Sequence, residues 1–307
     1  MPNHPLVSIV TPSLNMGEYL PGTIQSVLGQ DYQNLQYIVM DGGSKDGTRE
    51  TLHSFRESLE YESRQDAGAA DALRRGFERC DGEILAYLNA DDEYLPGAVS
   101  AAVRAFEDHP EVEVVYGDGL WMDRDGAAIG RYPTREFDAG DLGRECFICQ
   151  PAVFFRRSAY ESVGGIDASL EYTYDYDLWL RLAKKPSFLH VNRLLAKSRM
   201  YPENKSLGSR RRVFRETIDT VIANTGQAGF GHVYAYACHL LDGRDQFFEP
   251  LRPSMFKFGL AMVLGLAFNG PLCGRFWLDS ARSIGKLRGI ADELPIFRSA
   301  RAGVRTL

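Results

Sequence analysis

Apolar positions in this chain come in short solid runs that alternate with stretches of helical spacing. Leu6 to Val10 is a run that stops at Pro12 and Asn15, the pattern of a buried strand leading into a loop. Leu20, Ile24, Val27 and Leu28 then recur at helical intervals. Tyr37 to Met40 predicts a second strand, which runs into Asp41-Gly42-Gly43-Ser44, and a short helix follows over Thr48 to Phe55. After a loop from Asp66 to Gly68, Ala69 to Arg79 predicts a helix and Ile84 to Leu88 a third strand, ending in Asn89, Ala90, Asp91 and Asp92. Pro96 opens the next helix, where its missing N–H costs nothing, and Val112 to Tyr116 is a further strand. Alternation at these lengths predicts an α/β fold with a mainly parallel mixed sheet flanked by helices.

Ligands of such sheets bind outside the carboxyl ends of the strands. Three expected strands end in polar clusters, Thr11 to Asn15, Asp41 to Ser44 and Asn89 to Asp92, so one crevice would collect all three. From Gly126 to about Tyr201 the alternation loosens, and beyond Lys205 the pattern turns helical and basic. This divides the chain into a domain over 1–206 and a mostly helical extension over 207–307. Within the extension, Phe258 to Phe268 is an uncharged, mostly apolar stretch of 11 residues, where a bilayer-spanning helix needs about 20. Lys257, Arg275, Phe256, Phe276 and Trp277 flank it. It suits a helix lying in a membrane interface, or one packed on the main domain or on a second subunit.

Composition is that of a folded soluble chain: 307 residues, 44% hydrophobic and 25% charged. The net charge of −6 conceals an asymmetry, since residues 207–307 carry 14 Lys and Arg against 8 Asp and Glu, or +6, which leaves −12 for the front. An acidic front excludes nucleic acid as its main partner, because phosphate backbones need clustered Lys and Arg, and favours a bound cation. Cys80, Cys146, Cys149, Cys238 and Cys273 are scattered, and no charged-then-apolar signal segment precedes Val7, so the expectation is a cytoplasmic chain with free thiols. Cys146 and Cys149 have CxxC spacing without a second pair or a histidine to complete a zinc site.

Helix capping explains one of the adjacent carboxylates Asp91 and Asp92, not both. With Asn89 beside them they form a hard oxygen set of the kind Mg2+ or Mn2+ prefers while leaving positions for substrate phosphates. The loop Asp41 to Thr48 fails as a calcium loop, because Gly43 and Lys45 stand where oxygen ligands are needed; its glycines allow a sharp turn and a close ligand. Dinucleotide and phosphate-loop fingerprints are missing from the strand ends, which removes the main support for a dehydrogenase or phosphate-loop NTPase. In "TYDYDLWLRL", Asp175 and Asp177 precede a helix with Leu178 and Leu182 inward and Arg181 outward. A carboxylate there is either a cap or an acceptor for a proton from an attacking hydroxyl.

The stretches "VSIVTPSLN", "VMDGGSKDGT", "QDAGAADALRRGF", "GEILAYLNADDEYLPGA", "VVYGD", "QPAVFFRR", "VGGIDASLEY" and "YDYDLWLRLA" resemble, in that order, the family 2 glycosyltransferases with the GT-A fold. The resemblance covers about residues 6–206. It implies that Thr11, Pro12, Ser13, Asn15 and Asp41, with Gly43 and Ser44, hold the nucleoside of a nucleotide-sugar donor. Asp66, Asp71, Arg75, Asn89 and Asp91 would line the rest of the donor site, and Asp92, with Asp91, would ligate the metal. Asp175 falls on the second residue of the family's Glu-Asp pair, the catalytic base, with Tyr174 in place of the Glu, and Gln150 and Trp179 would border the acceptor. Leu14, Gly42 and Tyr201 depart from the family pattern, Tyr201 standing where a histidine is expected near the diphosphate. The expected activity is metal-dependent, inverting sugar transfer to the hydroxyl of a sugar or lipid-linked acceptor, in cell-surface polysaccharide or glycolipid synthesis, at the inner face of the membrane. The rival readings are a silent nucleotide-sugar binder and a metal-dependent nucleotidyltransferase.

Overall fold

The structure, a computed structural model, describes residues 4–185, 187–270 and 274–287. Its strands are β1 (Val7–Ser13), β2 (Leu35–Asp41), β3 (Glu60–Ser63), β4 (Ile84–Tyr87), β5 (Glu93–Tyr94), β6 (Val114–Met122), β7 (Ala128–Arg131), β8 (Val153–Arg156) and β9 (Phe188–Arg199). Helices α1 (Leu20–Leu28), α2 (Thr48–Ser54), α3 (Ala69–Glu78), α4 (Ala98–Asp108), α5 (Ala139–Leu142), α6 (Arg157–Ser162) and α7 (Tyr174–Leu182) alternate with them. Then come α8 (Lys205–Gly208), α9 (Arg210–Thr225), α10 (Phe230–Asp242), α11 (Met255–Asn269) and α12 (Gly274–Leu287).

One sheet runs in the order β3-β2-β1-β4-β8-β6-β9-β5, with β7 added to β6. The β3-β2-β1-β4 half is parallel, whereas β8 is antiparallel to both β4 and β6. The strands are apolar on both faces because both faces are covered. Val7 and Ile9 of β1, Tyr37 and Val39 of β2, and Ile84 and Ala86 of β4 pack with α1 and α4; Val10, Ile38, Met40, Leu85 and Tyr87 pack with α3 and α7. Each such fully buried aliphatic side chain contributes about 1.5–3 kcal/mol relative to solvent exposure.

Several boundaries differ from the sequence pattern. β1 continues through Thr11 and Pro12 to Ser13, paired with Val39, Met40 and Asp41, so these residues belong to a strand and not to a loop. The short edge strand β3 has an exposed Glu60 and three half-buried residues, with no apolar alternation, and sequence periodicity does not reveal it. α4 starts at Ala98 because Gly97 takes φ 76° just before it, two residues later than Pro96 suggests. Asp175 and Asp177 lie inside the first turn of α7. Arg181 is largely covered and pairs with Asp177 at 2.7 Å instead of pointing outward.

The apolar stretch of the extension forms α11, which packs on α10. Two expected interfacial flanks turn inward: Lys257 Nζ binds Asp242 and the Arg252 carbonyl, and Phe276 is buried against Phe230. Phe256, Val263 and Leu266 stand outward, and among the described residues no helix is long and apolar enough to cross a membrane. The Arg275 side chain and residues 288–307 of the expected extension lie outside the described residues, as does Cys273; Cys80, Cys146, Cys149 and Cys238 are free thiols.

Candidate functional site

The parallel strand ends meet at one edge of the sheet. β1 and β2 stop side by side, and the loop after each is tied to the other. The Asn15 N–H donates to Ser44 Oγ at 2.7 Å and the Lys45 N–H to Asn15 Oδ1 at 3.0 Å, with Asn15 itself at φ 53°, a left-handed conformation that Asn tolerates. Asp41 is fully buried and accepts from the Ser44 N–H, the Ser44 hydroxyl and the Ser63 hydroxyl. Three of the roughly four acceptor positions of a carboxylate thus organise the loop. Gly43, at φ 88°, needs the freedom of glycine. Thr11 is bonded to Tyr37 at 3.0 Å, and the buried Ser13 hydroxyl has no partner among the described residues.

Beside this loop, Asp66 and Asp71 flank Arg75 at 3.8 and 3.3 Å, and Arg75 also binds Glu62 at 2.6 Å. Burial raises the Asp66 carboxyl above the usual carboxylate range, against the Gly68 N–H and Arg75. A Cβ on Gly42 would meet an Asp66 oxygen at 2.8 Å, so the carboxylate of Asp66 fills the space a side chain at Gly42 would take.

At the end of β4 the chain turns through Asn89 and Ala90 into Asp91 and Asp92, which β5 then pins to β9. The Asp92 carboxylate is 3% exposed and accepts from the Arg199 N–H at 2.8 Å and from Asn89 Nδ2 at 3.3 Å. Asn89 Nδ2 also donates to Gln150 at 2.9 Å, and Gln150 Nε2 to the Tyr87 carbonyl at 3.0 Å, so Gln150 lies under the carboxylate pair. The Tyr201 hydroxyl donates to Asp91 Oδ2 at 3.1 Å. Burial raises both carboxyls, Asp92 furthest because Asp91 adds a like charge. Neither forms a salt bridge among the described residues, and the buried Asp92 lies directly beside the half-buried Asp91. Among the described residues no group of three or more His, Cys, Asp or Glu side chains is placed to hold a metal ion.

Arg199 is the residue that sequence reasoning passed over. Its buried guanidinium binds the Asp91, Asp123 and Arg124 carbonyls at 2.9, 3.1 and 2.7 Å and the Glu93 carboxylate at 3.0 Å, bracing the turn through its backbone and not through the Asp91 or Asp92 carboxylates. A signal existed, a single arginine closing the long strand β9 two residues before Tyr201.

Tyr174 connects this turn to Asp175: its ring lies 6.3 Å from that of Tyr87 at the end of β4. Asp175 Oδ1 accepts from the Tyr176 N–H at 2.7 Å, and burial pushes its carboxyl up to about 6, helped by Glu216 and opposed by Lys205. The Lys205 ammonium sits 5.5 and 5.7 Å from the Tyr172 and Tyr174 rings. Trp179 is a correction to the expected acceptor side. It has no exposed surface and packs against Phe155 at 5.9 Å, because α7 turns that position toward the sheet and away from the crevice.

Residues 8–164 match the Glycosyl transferase family 2 profile. A glycosyltransferase of Rickettsia typhi is 30% identical over 211 residues, 64% of this chain and 64% of the relative. A PGL/p-HBAD biosynthesis glycosyltransferase of Mycobacterium tuberculosis is 29% identical over 199 residues, 61% of this chain and 75% of the relative. The match thus spans 64% of the length of the Rickettsia protein. Among solved structures, S. aureus TarS 1–349 in complex with UDP-GlcNAc superposes with TM-score 0.57 and 12% identity, over 92% of this chain and 81% of that one. The mannosyltransferase PcManGT from Pyrobaculum calidifontis, in complex with GDP-Man and Mn2+, gives TM-score 0.52 and 16% identity over 99% and 79%. The sheet and its helices therefore have the GT-A fold, and the chain belongs to glycosyl transferase family 2.

Proposed function

We propose that the chain transfers a sugar from a nucleoside diphosphate donor to an acceptor hydroxyl, with inversion, at the crevice where β1, β2 and β4 end. The observation that carries this reading is the convergence at one sheet edge of the buried Asp92, the adjacent half-buried Asp91, neither in a salt bridge among the described residues, and, across Tyr174, a third carboxylate whose basicity burial has raised. The donor complexes of TarS and PcManGT support a nucleotide sugar as the ligand.

The loop ends of β1 and β2 hold the nucleoside, with the unpartnered Ser13 hydroxyl and the exposed Asn15 available to it and Asp41 fixing the loop. Asp66, Asp71 and Arg75 form its wall. Asp91 and Asp92 would hold Mg2+ or Mn2+, and that cation, when bound, supplies positive charge for the departing diphosphate. Arg199, Tyr201, Asn89 and Gln150 keep the two carboxylates in place. In a single displacement the acceptor oxygen forms its bond to the anomeric carbon as the bond to the diphosphate oxygen breaks. The electron pair leaves with the diphosphate and the hydroxyl proton passes to Asp175. A carboxyl with a midpoint near 6 is ionised at neutral pH yet basic enough to accept that proton.

We assign the outward apolar row Phe256, Val263 and Leu266 of α11, in a segment of net charge +6, to an anionic membrane surface carrying a lipid-linked acceptor. A panel of UDP and GDP sugars with Mn2+ or Mg2+, scored for nucleoside diphosphate release and thermal stabilisation, tests the activity. No release and no stabilisation with any donor would refute it.

A further inference from the structure

The first turn of α7 has no cap of its own: Thr173, at its N-cap position, makes no side-chain bond back into the helix. The backbone leading into it is instead held from α9. Glu216 Oε1 accepts from the Tyr172 N–H at 2.6 Å, the Thr173 N–H at 2.7 Å and the Thr173 hydroxyl at 3.0 Å, while Oε2 accepts from the Glu171 N–H at 3.1 Å. One carboxylate thus gathers the three backbone donors that lead into Asp175. Thr220 Oγ1, one turn along α9, bonds Thr173 at 2.8 Å, and Asn224, a turn further, bonds Asp177 Oδ1 at 2.8 Å. A ladder of three α9 side chains therefore grips the turn that carries Asp175.

We propose that Glu216 is a positioning residue for sugar transfer: its carboxylate fixes the entry turn of α7 and sets a negative charge beside Asp175. The proposal rests on the reading of Asp175 as the base. It also gives the extension a part in the chemistry, since the 1–206 segment alone lacks the group that holds its own base.

The groups facing Asp175 are few. Tyr87 comes from β4, Tyr174 and Tyr176 from α7, Tyr132 and Cys146 from the segment between β7 and β8, Lys205 from α8 and Glu216 from α9. Burial raises every one of those tyrosines and the thiol, keeping them neutral at ordinary pH. Glu216 and Lys205 are left as the charges that act on Asp175. A neighbouring anion disfavours the ionised carboxylate, so loss of the Glu216 charge makes Asp175 more acidic.

The test uses the full chain and compares Glu216→Gln, Glu216→Ala and Asp175→Asn. Carbon-13 titration of side-chain carboxyls, with the Asp175 signal assigned by its loss in Asp175→Asn, reads the midpoint without any ligand. Nucleoside diphosphate release from a nucleotide sugar, with water as the acceptor, reads turnover. In Glu216→Gln, which keeps an oxygen for the Tyr172 and Thr173 N–H groups while removing the charge, the Asp175 midpoint and the acid limb of turnover both move to lower pH. In Glu216→Ala, which removes the grip as well, kcat falls on the order of 10-fold to 100-fold with the donor KM unchanged, as expected of a displaced reacting group. An unmoved midpoint and acid limb in Glu216→Gln overturn the role of Glu216. Wild-type release in Asp175→Asn is a separate outcome that overturns the base assignment itself.

Discussion

Replacing Asp92 by Asn should stabilise the metal-free protein while removing its response to metal and nucleotide. Asp92 is buried beside Asp91, and neither has a paired cation among the described residues. If both are ionised, two carboxylates roughly 4–8 Å apart repel by roughly 2–4 kcal/mol at the effective dielectric of a protein site. The substitution removes that repulsion. Against it, the Arg199 N–H bond to Oδ1 becomes neutral instead of charge-assisted, a loss of about 1 kcal/mol. The new amide NH2 also meets Asn89 Nδ2 donor to donor where a bond of 3.3 Å existed, about 1 kcal/mol more. The balance is a gain on the order of 1 kcal/mol, or about 2 °C in Tm for a chain of this size. Thermal unfolding in excess chelator, followed by unfolding with Mn2+ and UDP or GDP, measures both halves. A variant that melts below wild type in chelator, or that keeps the wild-type rise with Mn2+ and nucleotide, refutes the assignment of Asp92 to a cation.

Asp175→Asn should lower transfer by on the order of 10²–10⁴ with donor affinity little changed, and isothermal titration alongside kinetics separates the two. Asp177→Asn should instead cost stability, because Asp177 pairs with Arg181 and accepts from Asn224; unchanged urea unfolding with lost turnover would mean the base is Asp177. His232, pushed down to about 4 by burial beside the Tyr176 hydroxyl, stabilises the fold only while neutral. Its contribution is complete above the unfolded midpoint of about 6.5 and falls away as pH drops toward 4. His232→Gln should flatten that slope in unfolding experiments, and an unaltered slope would count against it. Phe256→Glu with Val263→Glu should reduce sedimentation with anionic liposomes; equal recovery of variant and wild type in the pellet would argue against a membrane role for α11.

Much of the front of the chain was legible. Ile84 to Leu88 reads as a strand because its apolar run is continuous, and β4 is buried on both faces for the same reason. Asp91 and Asp92 stood out because local helix capping accounts for only one of two adjacent anions at a strand end. The alternation that places Val7 and Ile9 on one face of the sheet and Val10 on the other is also local information. Local signals of this kind stop at element ends, which is why β1 was read too short and α4 too early.

The sequence by itself determined the alternating elements, the polar strand ends, the family and the residues aligned with its motifs. Only the tertiary structure decided which side chains reach them. Arg199 and Tyr201 approach the Asp91-Asp92 turn across 107 and 110 residues of chain, and Glu216 reaches Thr173 across 43. Trp179 shows the reverse: aromatic residues near a motif suggest a sugar wall, but the pitch of α7 sends this one into the core. Periodicity reports which face of an element is buried. It carries no record of what another element, folded against that face, brings to it.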